Sequence, residues 1–330
     1  MNPIARIGAA LLLTAALGPV LAQECRNRGD LDPQYCDDNG DLVADAPKDA
    51  KKFKNPGTLV FTYTPVEDPA VYEKIFKPFT DYLAQCTAKR VVFYQVQSNA
   101  AEIEAMRSGR LHVGGFSTGP TAFAVNIAGA VPFAIKGYEK DFQGYHLIVI
   151  ARKDNAAVKT IADLKGRKVA HTSPSSNSGH MAPMALLPKQ GVKPGTDYKI
   201  LFSGKHDQSV LGVNSGDYDA ATVASDVFER MAHRGTIKED DFRVLYRSAP
   251  FPTSSFAYAH DLEPKLRDKL LQCFMDYRFS PEMSKALDNN TRFYPATYLK
   301  DYAIVREVAE AGGEKFNREA YDREAAKAKK

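Results

Sequence analysis

The ten residues His171-Thr172-Ser173-Pro174-Ser175-Ser176-Asn177-Ser178-Gly179-His180 gather hydroxyl and carboxamide side chains directly in front of a helical pattern. The chemistry that suits them is anion binding without a formal cation. The first N–H groups of a helix lack intrahelical acceptors and carry partial positive charge, so Ser176, Asn177 and Ser178 at such a start can surround a tetrahedral oxyanion. Gly179 allows the backbone a close approach. Helix capping by Ser or Asn explains the same residues without any ligand.

Four further groups share this character. Gly204-Lys205-His206-Asp207 sits between a strand pattern and a helix pattern. His206 there can donate to an anion oxygen, and Asp207 can cap the helix or orient the imidazole. Against this, a histidine in a loop is usually just solvated. Ser117-Thr118-Gly119-Pro120-Thr121 follows another strand and can supply Ser117 and Thr118 from an opposite wall, although such clusters are ordinary turns. Tyr63 and Thr64 end the first strand. Asp226 suits a ligand amine or, equally, a helix start shared with Ser225.

Other chemistries fit less well. A metal site would rest on His171, His180 and His206, whose spacing does not enforce the three or four convergent ligands that zinc needs. Ser178 near His180, and His206 beside Asp207, imitate a nucleophile and its base. The chain lacks a Gly-x-Ser-x-Gly elbow, a P-loop and a His-Glu-x-x-His pattern. The expectation is a binding protein, not an enzyme, with no cofactor and no bound metal.

The elements that must position these loops alternate. Thr58 to Tyr63 reads as a strand. A helix follows with Val71, Ile75, Phe76, Phe79 and Leu83 on one face, kinked at Pro78. Arg90 to Val96 is a strand, Asn99 and Glu102 form a capping box for a helix through Met106, and Leu111 to Phe116 is a strand. The same grammar recurs with strands at Lys168–His171, Tyr198–Phe202 and Ala220–Val223, and with helices starting near Ser176 and Asp207. IEAMRSGRLHVGGF from Ile103 even matches VLGVNSGDYDAATV from Val210, with Ser108-Gly109 over Ser215-Gly216.

This predicts two doubly wound α/β lobes with mostly parallel sheets, joined by a hinge that the chain crosses twice. Tyr145–Ala151 enters the second lobe and Ser255–Ala259 returns. The expected division is an N-terminal arm over 23–57, lobe one over 58–148 plus 256–313, and lobe two over 149–255. The polar tail, 314–330, is expected to be a frayed helix or disordered. Ligands of open α/β sheets sit at the carboxyl ends of the strands, where these candidate groups fall.

Arg6 followed by the apolar run Ile7–Leu17 and Val20-Leu21-Ala22 reads as a signal peptide over 1–22, cleaved after Ala22. A lipid anchor would need cysteine at the cut, and Cys25 lies beyond Gln23 and Glu24. The remainder, roughly 300 residues, exceeds what one core usually supports. With 44 basic and 40 acidic residues the net charge is +4, compatible with an anionic ligand and giving nucleic-acid binding no support. Four cysteines in an exported chain suit two disulfides. Of the three possible pairings, Cys25 with Cys36 and Cys86 with Cys273 is favoured, because the first two share one short polar segment.

At these loops the sequence resembles the phosphonate-binding protein family, the periplasmic components of phosphate, phosphite and phosphonate ABC importers, with the type II periplasmic binding fold. Thr160–Ala170 looks like the opening of lobe two in such proteins. Pro174–Gly179 with Pro183 following is similar to the family's Ser-Thr-Ser-Gly oxyanion loop, and Gly204-Lys205-His206-Asp207 is similar to its Gly-x-His-Asp. The likeness covers about 58–300. It implies that Ser176, Asn177 and Ser178 bind oxygens of a small oxyanion, that His206 completes the shell with Thr118 and Tyr63, and that the monomer closes at its hinge to meet an ABC permease in the inner membrane. Asn177 replaces the usual threonine, and Phe123 stands where relatives place an aromatic ligand contact. A sensor that presents its closed form to a membrane kinase, taking a related oxyanion such as arsenate, is the alternative.

Overall fold

The computed structural model describes residues 25–327; the signal peptide expected over 1–22 lies outside them. From the N-terminus the elements are β1 (Thr58–Tyr63), α1 (Pro69–Thr87), β2 (Arg90–Phe93), α2 (Asn99–Arg107), β3 (Val113–Phe116), α3 (Thr118–Ala128), β4 (Ala130–Gly137) and β5 (Gly144–Arg152). Then come β6 (Lys168–His171), α4 (Ala182–Leu186), β7 (Lys199–Phe202), α5 (His206–Ser215), β8 (Ala220–Ala224), α6 (Ser225–His233), β9 (Phe242–Pro252) and β10 (Ser255–Ala259). The chain ends with α7 (Pro264–Asp276), α8 (Pro281–Ala286), β11 (Arg292–Pro295), α9 (Tyr298–Asp301), α10 (Ala303–Ala311) and α11 (Arg318–Lys327).

The strands form two sheets, ordered β11-β4-β10-β3-β1-β2 and β7-β6-β8-β5-β9. Each is mixed, not mostly parallel as expected. The parallel part is three strands in each sheet, β2-β1-β3 and β7-β6-β8; β10, β4 and β11 in the first and β5 and β9 in the second pair antiparallel. Four of the antiparallel strands flank the two passages between sheets, β4 and β5 at 138–143 and β9 and β10 at 253–254. β5 lies wholly in the second sheet.

Alternation along β1 builds the first lobe. Leu59, Phe61 and Tyr63 point into a cluster with Phe76, Phe79, Phe256, Phe274 and Phe293, while Val60 faces the other core. Tyr72, Phe76, Phe79 and Leu83 of α1 line that aromatic cluster, so the buried face turns on Tyr72, with Val71 and Ile75 at its edge. Pro78 lies inside α1 on its exposed side, and the helix runs on to Thr87. The repeated stretches superpose as helix, Ser-Gly turn and strand: α2 and β3 in one lobe, α5 and β8 in the other.

Other expectations are revised. Ser98, not Asn99, caps α2, accepting from the Ala101 N–H at 3.2 Å. Glu102 is consequently no capping-box partner; it is fully buried, and burial pushes its carboxyl well above the ordinary range, so it stays uncharged. Ser117–Thr121 is no turn but the start of the buried helix α3, capped at Ser117. The tail is ordered where its few apolar residues dock. Phe316 and Tyr321 close over Phe123, and Arg318 pairs with Asp32 of the N-terminal arm at 2.5 Å.

Both expected disulfides are present, Cys25–Cys36 and Cys86–Cys273. The second ties α1 to α7 across a sequence separation of 187, a loop whose closure removes about 5 kcal/mol of unfolded-state freedom in the chain-entropy model. Replacing Cys86 and Cys273 together by serine is expected to lower the urea-unfolding free energy by about 2–5 kcal/mol with the far-ultraviolet spectrum retained. An unchanged denaturation midpoint would contradict this.

Candidate functional site

A small cavity lies between the two sheets, at the carboxyl ends of their parallel strands. It is lined by Tyr63, Ser117 and Thr118 from the first lobe and by Tyr145, Ser176, Asn177, Ser178, His206, Asp226 and Arg230 from the second, with Thr253 and Ser254 of the passage between them. Eight of the nine residues singled out by sequence therefore meet in one place. The ninth, Gly179, stands just behind, where a Cβ would overlap the Thr172 hydroxyl.

Four helix starts converge on this cavity. Ser117 and Thr118 begin α3, and Ser176 caps a π-helical turn, Asn177–Met181, that continues into α4. His206 begins α5, and Ala224 caps α6. The Ser176 hydroxyl accepts from the Gly179 N–H at 3.1 Å, so the capping role holds at the cavity wall itself. The N–H groups of Asn177 and Ser178, the first of the turn, have no intrahelical acceptor by helix geometry. The dipoles of four helix starts favour negative charge in this space, and among the described residues the lining cation, Arg230, is paired.

The side chains are held in place by one another. Asn177 donates to the Tyr145 hydroxyl at 3.0 Å, which fixes the carboxamide. The Thr118 hydroxyl donates to the Pro252 carbonyl at 2.9 Å, so the group it retains for an anion is its backbone N–H. Tyr63 donates to the Ser254 hydroxyl at 3.2 Å. Gly119 lies so close to the facing loop that a Cβ would strike the Ser175 carbonyl oxygen and the Met181 side chain. Glycine at that position is what lets the lobes meet.

Formal charge at the cavity is balanced. Arg230 donates to Asp226 at 3.0 Å, to Asp288 at 2.6 Å and to Glu67 at 3.1 Å; Arg234 also pairs with Glu67, and Lys136 lies 3.8 Å from Asp288. Burial works to raise the Asp226 carboxyl, yet Arg230 and Lys136 outweigh it and keep it below the ordinary range. Asp226 thus reaches the cavity already engaged by Arg230, which answers the ligand-amine role with an internal partner.

Asp207 does not orient His206. It accepts from the Gln208 N–H, while the Ala224 N–H donates to His206 Nδ1 at 3.1 Å. In the neutral ring the proton is therefore on Nε2, which stands 3.5 Å from the Ser176 hydroxyl. His171 and His180 lie apart from it, joined Nδ1 to Nδ1 at 2.9 Å, with Tyr198 2.8 Å from His171 Nε2. Phe123 packs on Phe316 and Tyr321 and is not among the cavity-lining residues.

Sequence reasoning missed Tyr145, Arg230, Thr253 and Ser254 as lining residues. Asp226 and Arg230 stand four apart on one helix, a spacing that signals a pair. The other three flank the passages between sheets, where a polar side chain must face either hinge or cleft.

Burial pushes the His206 imidazole down to about 4 from its ordinary 6.5, against the opposing pull of the Asp226 and Glu67 carboxylates. The unfolded chain binds a proton at this ring near 6.5 and the folded chain only near 4. The stability from the neutral ring is therefore complete above pH 6.5 and is lost as pH falls through that window, about 2 kcal/mol of it by pH 5. Urea denaturation at pH 7 and pH 5 is expected to show a smaller acid loss for His206→Gln than for the unaltered chain. Equal losses would mean that this ring is not the group protonated on unfolding.

The family model for the ABC transporter phosphonate periplasmic substrate-binding protein matches residues 61–302. A phosphate-import protein, PhnD, of Mycolicibacterium smegmatis is 28% identical over 243 residues, covering 70% of this chain and 75% of the relative. Among solved structures, the binding component of an ABC phosphonate transporter from Pseudomonas aeruginosa is similar in fold, with TM-score 0.68, 22% identity, and coverage of 82% of this chain and 93% of that one. PhnD1 of Prochlorococcus marinus, solved in complex with methylphosphonate, has TM-score 0.69, 20% identity, and coverage of 79% and 100%. A match over that length, on two α/β lobes that enclose a helix-start cavity, places this chain in the periplasmic substrate-binding protein family of phosphonate ABC transporters.

Proposed function

We propose that the cavity captures a small tetrahedral phosphorus oxyanion, a phosphonate, phosphite or phosphate, and that the closed lobes deliver it in the periplasm to an ABC permease of the inner membrane. The observation that carries this reading is the convergence of four helix starts on a space whose lining cation among the described residues, Arg230, is already neutralised. Such a site supplies N–H and O–H donors in many directions, which suits an anion with several equivalent oxygens. Asn177 and Ser178 give the first contacts; Thr118 and Tyr63 close from the facing lobe, and His206 Nε2–H donates from the side. The curated relative named for phosphate import and the structural neighbour holding methylphosphonate support the class of ligand.

Size narrows the class. The free space of the cavity is small, about 30 Å³, and partly open to solvent. It suits compact anions such as phosphite, phosphate and methylphosphonate better than a phosphonate with a long organic substituent. Selectivity follows from donors left unpaired when the wrong anion is enclosed. In this reading the protein binds its ligand as a monomer, with no cofactor, before it meets the permease.

A thermal-shift panel of phosphate, phosphite, methylphosphonate, aminoethylphosphonate, sulfate and arsenate, followed by calorimetry, tests this directly. At least one compact phosphorus oxyanion is expected to raise the melting temperature, and Ser176→Ala with Ser178→Ala to weaken its binding tenfold or more, about 1.4 kcal/mol. Ser178→Ala alone separates binding from the capping role of Ser176. No response to any phosphorus oxyanion at millimolar concentration, or unchanged affinity in the variants, would contradict the proposal.

A further inference from the structure

Glu67 follows β1 on the first lobe and is 1% exposed, yet it is not among the residues lining the cavity. Its carboxylate crosses the cleft. One oxygen accepts from Arg230 Nε of α6 at 3.1 Å and the other pairs with Arg234, the residue that caps the end of α6, both in the second lobe. Tyr72 of its own lobe donates to the same carboxylate at 2.9 Å, anchoring it to α1. Next to it the His206 N–H donates to the Val66 carbonyl at 3.2 Å, a backbone bond that also joins the lobes. Across the cavity Asn99 of the first lobe donates to the Ser173 and Ser175 hydroxyls, each at 3.3 Å. Glu67, Arg234, Asn99, Ser173 and Ser175 stand outside the cavity lining, whereas Arg230, Val66 and His206 form part of it.

Charge makes Glu67 the decisive member of this set. Glu67, Asp226 and Asp288 face Arg230, Arg234 and Lys136, three carboxylates against three cations. Asp226 shares α6 with Arg230, and Asp288 is joined to Gln143 beside the hinge at 2.9 Å. Asp288 also reaches Arg230 from the first lobe, at 2.6 Å, but Glu67 engages both Arg230 and Arg234. Closing the lobes buries the Arg230 guanidinium, and a buried charge is tolerated only when it is paired. Separating the lobes would return Glu67 and Arg230 to water and break the pairs of Glu67 with Arg230 and with the exposed Arg234 together.

We propose that Glu67 is a positioning residue that latches the two lobes shut through Arg230 and Arg234, so that the closed form is populated before any ligand arrives. This deepens the reading of the cavity as an anion trap and is tested without an anion. Affinity alone would mix the latch with the extra positive charge that its removal leaves beside the site.

The experiment is the distance between spin labels at Lys74→Cys on α1 and Gln208→Cys on α5, both exposed positions, in the ligand-free protein. The unaltered chain is expected to give a short-distance population. Glu67→Gln and Arg234→Gln are each expected to reduce it roughly fivefold or more. Should Glu67→Gln lose its cooperative thermal transition, Arg234→Gln decides, because Arg230 then keeps Glu67, Asp226 and Asp288 as partners. Distributions in the variants that superpose on the unaltered one, or an unaltered chain that is wholly open without ligand, would overturn the latch. A chain that responds to none of the phosphorus oxyanions would defeat the proposed ligand and leave this measurement standing.

Discussion

Four helix starts pointed at one enclosed space impose a severe electrostatic condition. Their N–H groups and dipoles favour negative charge there, yet the surrounding walls are buried and tolerate no unpaired ion. Much of the neighbouring chemistry satisfies both demands at once. Arg230 is neutralised by three carboxylates, so it contributes structure without a free cation. His206 is neutral and held in the tautomer that presents Nε2–H by the Ala224 N–H. What remains for a guest is a set of neutral donors, a medium in which an oxyanion replaces hydration by fixed dipoles.

The two lobes meet this condition with different materials. The first lobe rests on a dense aromatic cluster around Phe61, Phe79, Phe256 and Phe293, stapled by Cys86–Cys273. That body gives Tyr63 and Thr118 a rigid base. Contacts between the lobes are of two kinds: polar ones, Asn99 with Ser173 and Ser175, Val66 with His206, Glu67 with Arg230 and Arg234 and Asp288 with Arg230, and an apolar seam where Gly119 meets Met181 within a buried cluster drawn from both lobes. Polar contacts can be exchanged for water at modest cost, whereas an apolar seam resists opening. A hinge of short passages at 138–143 and 253–254 between rigid lobes suits a protein that must both take in and release its ligand.

Local chemistry was readable in the sequence wherever a backbone feature needs a particular residue. Ser176 and Ser117 mark helix starts, and Thr58–Tyr63 alternates as a half-buried strand should. The repeated helix, Ser-Gly turn and strand pointed to the two-lobe plan, since equal local patterns build equal local structure. Features set by distant partners were not readable. Arg230 joins residues far apart in the chain, Glu67 and Asp288, and Tyr145 faces Asn177 only because the second sheet folds beneath it. Glu102 looked like a capping carboxylate by spacing, and tertiary burial took it inside instead. The tail reads as polar, yet two aromatic residues suffice to dock it on Phe123.

The most direct measurement is a proton–nitrogen correlation spectrum of the isotopically labelled protein with and without phosphite or methylphosphonate. If helix-start donors hold the anion, the amide signals of Asn177, Ser178 and Thr118 and the Nε2–H of His206 move downfield together as the ligand is added. If an anion binds while those four signals stay in place and others shift, the charge is held elsewhere and the account of this cavity is wrong.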